Sequence, residues 1–119
     1  MSPAALFIAS DDGAPAGASA VARGVSSLYF DSRPEEALLW DIRVSREHRQ
    51  LGAGKALLEA AASWARAEGC NALLIETQDT NVAACRLYLS VGCRVRELGQ
   101  PVYKEHSEDV LIVWRLGLS

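Results

Sequence analysis

Residues 38–68 read LLWDIRVSREHRQLGAGKALLEAAASWARAE, a buried strand, a short polar loop and a long amphipathic helix in succession. Arg49-Gln50-Leu51-Gly52-Ala53-Gly54 forms an R-x-x-G-x-G pattern that opens straight into the helix, with Lys55 in its first turn. The first N–H groups of a helix lack intrahelical partners and carry partial positive charge. Glycines let an anion approach that backbone without a Cβ in the way. A strand feeding such a turn is a candidate phosphate or pyrophosphate cradle, and Arg49 can add a forked cationic contact. Two better-known phosphate loops do not fit. Ala56 stands where a P-loop needs a hydroxyl, and Leu57 stands where a dinucleotide fingerprint needs its third glycine.

The flanking segments set the organisation. Residues 4–9 (AALFIA) and 16–25 (AGASAVARGV) read as a hairpin with Asp12-Gly13 near its tip, and 26–36 as a loop. The strongest central strand is 37–44, with Trp40, Ile42 and Val44 on one face and Leu39, Asp41 and Arg43 on the other. The helix over 53–68 stacks Leu57, Leu58, Ala61, Trp64 and Ala65 into one stripe, leaves Glu59, Ser63 and Arg66 off it, and stops at Gly69. A second buried strand, 72–77, follows. Strand, helix and strand in that order imply a parallel pair with a right-handed crossover. Asn81 is an N-cap for a helix over 82–91 that Gly92 stops. Strands over 93–98 and 109–116, with a turn around 99–101, complete the pattern.

Composition removes several classes of function. At 119 residues one domain is expected. Half the residues are hydrophobic, but no apolar run reaches membrane-spanning length. No basic region followed by an apolar one marks a secretory leader, so the expected location is cytoplasmic. The net charge is −3 with no basic block, which argues against nucleic acid and suits a cationic small molecule. Cys70, Cys85 and Cys93 match no zinc spacing and read as reduced, partly buried thiols; no metal site is expected. His48 and His106 sit in polar loops and read as surface residues.

A second motif follows the first in order. The run ETQDTNVAACRLYLSVG (76–92) fits N-x-x-A-x-x-L/F-Y-x-x-x-G, with Asn81, Ala84, Leu87, Tyr88 and Gly92 in step. Asn81 and Tyr88 stand seven residues apart, close to two helical turns, and so share nearly one face. The two motifs together resemble the GCN5-related N-acetyltransferases (GNAT), and the run IETQDTN with the closing EDVLIVWRL is most similar to the streptothricin acetyltransferases among them. The resemblance covers residues 37–116. It implies a mixed α/β (α+β) fold: a mostly antiparallel sheet with a central parallel strand–helix–strand unit and two main helices.

The resemblance also implies acetyl transfer from acetyl-CoA to a primary amine. An alkyl amine has a pKa near 10.4, so only about one molecule in a few thousand is nucleophilic at neutral pH. The site must take that proton, stabilise the oxyanion and protonate the thiolate. By this resemblance the pyrophosphate sits on Arg49, Gln50, Leu51, Gly52, Ala53, Gly54 and Lys55, and the pantetheine arm runs along Ile42, Arg43 and Val44. The Val44 N–H is then the oxyanion donor, Asn81 a further cofactor contact, and Tyr88 the acid that meets the thiolate. Asp41 and Glu76, carboxylates within apolar strands, are the two candidates for the base or for holding a cationic acceptor.

The family pattern places one strand and two helices ahead of the first hairpin, and this chain starts at that hairpin. The exposed sheet edge that results is expected to be covered by a second copy in a homodimer. Three functions follow: an N-acetyltransferase for a small-molecule amine, with antibiotic resistance as its setting; a protein or peptide N-acetyltransferase; or an acyl-CoA-binding module without turnover.

Overall fold

The computed structural model describes residues 4–11, 13–23, 33–44, 52–99 and 110–118; for Asp11, Ala14, Pro15, Trp40, Asp41 and Arg43 it describes the backbone alone. Within these residues, strands β1 (Ala4–Asp11), β2 (Ala14–Arg23), β3 (Glu36–Val44), β4 (Ala72–Gln78), β5 (Arg94–Gly99) and β6 (Leu111–Gly117) form one sheet. Its order is β1-β2-β3-β4-β6-β5. Only β3 and β4 run parallel. They are joined by helix α1 (Ala53–Ala67), and helix α2 (Val82–Ser90) connects β4 to β5. These are the elements expected from the sequence, with ends shifted by one or two residues. The loop read over 26–36 and the turn at 99–101 lie partly outside the described residues, and His48 and His106 lie wholly outside them.

The main core lies between the sheet and α1. Leu57, Leu58, Ala61, Ala62 and Ala65 of α1 are buried, while Glu59, Ser63 and Arg66 face solvent. Opposite them sit Val21, Leu39, Leu73, Ile75 and Trp114. The other face of the sheet holds a small cluster of Leu38, Leu74 and Val113. Residues 72–75 are buried on both faces, as expected of the central strand of a parallel pair.

One expectation fails in β3. Strict alternation puts Leu39 and Ile42 on opposite faces, yet Ile42 packs against the same cluster that buries Leu39. The cause is a bulge. β2 advances from Ala18 to Ala20 while its partner β3 goes from Arg43 back to Trp40, so β3 carries one extra residue there. An extra residue reverses the phase of the pleat beyond it. Ile42 and Val44 therefore turn toward the helices.

The parallel pair also opens. β3 and β4 pair from Glu36↔Ala72 to Leu39↔Ile75. Beyond that point β3 goes on pairing with β2 as far as Val44↔Gly17, and β4 with β6 as far as Gln78↔Leu111. Each strand keeps its outer partner and parts from its inner one.

Helix α2 is lightly held. Of its nine residues only Tyr88 is buried. Its start is fixed by Asp79, which donates its N–H to the Val110 carbonyl (2.9 Å) and accepts the Val110 N–H at Oδ1 (3.1 Å). Its body is fixed by Tyr88, which meets Trp114 edge-to-face with ring centroids 5.9 Å apart.

Candidate active site

A cavity of about 740 Å³ lies where β3 and β4 part, between the start of α1 and the inner side of α2. Its walls include Ile42 and Val44 of β3, Gly52, Gly54 and Lys55 at the start of α1, and Asn81, Leu87 and Tyr88 along α2. The structure thus gathers residues from both sequence motifs at one place. Ala53 lies between the two glycines as the first residue of α1. Arg49, Gln50 and Leu51 lie outside the described residues, and for Asp41 and Arg43 only the backbone is described.

The start of α1 suits an anion. Gly52 caps the helix in the left-handed region (φ +84°), and no side chain caps it among the described residues. The first helical hydrogen bond runs from the Ala56 N–H to the Gly52 carbonyl (3.0 Å), so the amides of Ala53, Gly54 and Lys55 precede it. The first turn carries no acidic residue. It carries instead Lys55, a cation at the positive end of the helix dipole, which helix stability alone disfavours by a few tenths of a kcal/mol. Glu59 relieves this in part from 3.9 Å.

Gly54 has a second purpose. A Cβ there would lie 3.2 Å from Leu87 Cδ2 and 3.7 Å from Val44 Cγ2. The missing side chain is what lets α2 sit this close to α1 and shape the cavity. Asn81 is the N-cap of α2: its Oδ1 accepts the Ala84 N–H at 3.2 Å. It also lines the cavity, so the cap and a ligand contact through its amide N–H₂ are compatible.

Tyr88 is buried, and burial, with the nearby Cys93 and Cys85 thiols, pushes its phenol up to about 12. Burial likewise pushes Cys93 up to about 11 and raises Cys70 and Cys85. The three cysteines are free thiols, and the phenol is protonated at any physiological pH.

Glu76 does not line the cavity. It pairs across β4–β6 with Val113, on the face of the Leu38–Leu74–Val113 cluster, whereas Tyr88 packs with Ile75 and Trp114 on the helical face. Glu76 and Tyr88 therefore flank the sheet from opposite sides. Among the described residues no group of three or more His, Cys, Asp or Glu side chains is arranged to hold a metal ion.

A family model described as the acetyltransferase (GNAT) family matches residues 1–93. Streptothricin acetyltransferase A of Bacillus subtilis (strain 168) is 44% identical over 80 residues, which cover 66% of this chain and 46% of that protein. The crystal structure of a putative streptothricin acetyltransferase from Bacillus anthracis str. Ames in complex with acetyl coenzyme A is 30% identical. Its TM-score is 0.80, over 96% of this chain and 62% of that one. A nourseothricin acetyltransferase structure reaches a TM-score of 0.83 at 24% identity, covering 98% of this chain and 66% of that one, and so speaks for the fold. The chain spans less than half the length of the curated relatives it matches.

Two predictions follow from the site geometry. At Gly54 helix propensity favours alanine by about 1 kcal/mol, which offsets the push on Leu87, so Gly54→Ala should leave the melting temperature within a few degrees of the parent. The same push narrows the cavity, and calorimetry should find coenzyme A affinity reduced by about fivefold or more. The second concerns alkaline stability. Unfolded, Cys93 and Tyr88 release their protons near their ordinary values of 9 and 10; folded, they keep them to about 11 and 12. Above pH 9 the unfolded chain therefore binds fewer protons, and stability falls as pH rises, by on the order of 3 kcal/mol at pH 11. Melting curves from pH 8 to 11 should show this fall, and Cys93→Ser and Tyr88→Phe should each flatten part of it.

Proposed function

Because the chain belongs to the acetyltransferase (GNAT) family, we propose that it transfers the acetyl group of acetyl-CoA to a primary amine of a small molecule, with a streptothricin-type antibiotic as the acceptor. The observation that carries this reading is the cavity where two parting strands, the glycine-capped start of α1 and the Tyr88 face of α2 converge.

Coenzyme A brings the acetyl group as a thioester. The amides of Ala53, Gly54 and Lys55 bind its diphosphate, with Lys55 and the motif residues Arg49, Gln50 and Leu51 completing the cradle. Ile42, Arg43 and Val44 offer the strand backbone to the pantetheine arm, and the family resemblance gives the Val44 N–H the role of donor to the carbonyl oxygen. Asn81 closes the opposite wall. Tyr88 meets the sulfur as a hydrogen-bond donor. A phenol held at about 12 is a weaker acid than an alkyl thiol, so full transfer to the thiolate runs uphill. Stabilisation of the developing negative charge is therefore its main contribution, and the last proton comes from solvent. The amine approaches from the far face of the sheet, through the opening between β3 and β4, where Glu76 takes its proton directly or through water. Asp41, on the other side of that opening, is the alternative base.

Calorimetry with coenzyme A, followed by release of free thiol from acetyl-CoA in the presence of streptothricin or a polyamine, tests the proposal. Binding with amine-dependent release is the expected result. Binding with no turnover on any amine would leave an acyl-CoA-binding module, and turnover only on a peptide amine would make the chain a protein N-acetyltransferase. Tyr88→Phe should lower kcat by about 10- to 100-fold, the worth of a hydrogen bond to a charged group, with KM for acetyl-CoA near the parent value.

The same reading includes a homodimer. Among the described residues β1 is an edge strand, and Leu6 and Ile8 on its outward face are 68% and 64% exposed. A sheet edge with apolar side chains beside it invites strand pairing. A second copy satisfies it and adds a wall beside the acceptor side of the sheet. Sedimentation should find a dimer at micromolar concentration that Leu6→Lys dissociates; a monomer throughout that range overturns this part.

A further inference from the structure

We infer that Trp114, in the last strand and outside both sequence motifs, is a positioning residue for the reaction: its indole is the aromatic partner by which Tyr88, and through it α2, is held against the cavity.

Three observations support this. First, α2 supplies Asn81 at its cap and Ala83, Ala84, Leu87 and Tyr88 along its length to the cavity wall, yet Tyr88 is its only buried residue. Ala84, Cys85 and Leu87 pack against the core only in part, so the helix has one fully buried anchor, the Tyr88 ring. Second, that ring rests on Trp114. The centroids are 5.9 Å apart at an interplanar angle of 62°, an edge-to-face contact of the kind worth about 0.5–1.5 kcal/mol beyond burial. Trp114 is itself fixed, being 3% exposed and paired across the sheet with Ile75 at the last rung before β3 and β4 part. Third, the indole Nε1 is buried with no hydrogen-bond partner among the described residues. A buried donor left unmade costs about 1–3 kcal/mol. What the position uses is therefore the aromatic surface and not the polar atom.

The inference rests on the reading that Tyr88 faces the reacting sulfur, but its test separates the two. Trp114→Leu removes the ring and Trp114→Phe keeps it. In Trp114→Leu, amide hydrogen exchange over 82–90 should accelerate about tenfold while α1 and β4 keep their protection; coenzyme A affinity and kcat should fall about tenfold together. Trp114→Phe should recover most of both losses, to within about threefold of the parent, because the orphaned N–H has no part in them. Tyr88→Phe keeps the ring pair, so it should lower kcat without changing exchange in α2. If Tyr88→Phe turns over like the parent, the role given to the phenol fails, and the exchange comparison still judges Trp114. If Trp114→Leu does not fold, Tyr88→Leu removes the other half of the pair and must accelerate exchange in α2. Unchanged exchange and affinity in the folded leucine variant, or a phenylalanine variant as impaired as the leucine one, overturns the inference.

Discussion

The site depends on the parting of β3 and β4 after a short parallel ladder. A parallel pair normally buries its backbone groups along its full length, because each unpaired amide or carbonyl out of water is costly. Here the ladder ends at Leu39↔Ile75 while both strands continue. The separation is supported from outside: β2 holds β3 to Val44, and β6 holds β4 to Gln78. The bulge in β3 begins just past the last shared rung, where an extra residue bends the strand and strengthens its twist. The same irregularity turns Ile42 and Val44 toward the helices and into the cavity wall. One inserted residue thus accounts for both the opening and its lining.

The two helices are attached to this opening by different means. α1 lays five buried residues across the sheet and so fixes its own N-terminus at the mouth of the gap. α2 has one buried residue and a pair of hydrogen bonds at its start. Gly54 is where the two meet, with a Cβ's worth of space kept clear against Leu87. A firmly packed helix thereby forms one wall of the cavity and a more lightly held one the other. Local stability follows buried contact, so α2 is the element expected to shift when the cavity fills.

Much of this was legible in the sequence. Strong periodicity located α1 and its buried stripe, and the two motifs located both walls of the cavity, because glycine spacing and an N-cap asparagine are local features with local causes. The bulge was not legible. It adds a residue without a characteristic composition, and alternation read along 37–44 carried Leu39 and Ile42 to opposite faces. The separation of Glu76 from Tyr88 was hidden for a related reason. They are twelve positions apart in one motif, but a strand alternates between two faces while a helix keeps to one, and only the tertiary arrangement shows that the sheet lies between them. Trp114 escaped notice because nothing in the strand LIVWRLG distinguishes a core tryptophan from one that seats another residue.

That separation has a mechanistic consequence for the reading proposed here. A single pocket holding both an amine and a thioester would need its base and its thiolate partner within a few ångströms of each other. A base on one face and a phenol on the other instead require the reacting carbonyl to lie in the gap itself, with the nucleophile arriving from one side and the leaving sulfur remaining on the other. Addition of the amine to one face of the carbonyl and departure of the sulfur from the resulting tetrahedral carbon are both compatible with that arrangement. The gap is flanked by strand pairing on both sides: β2 holds β3, and β6, with Trp114, holds β4.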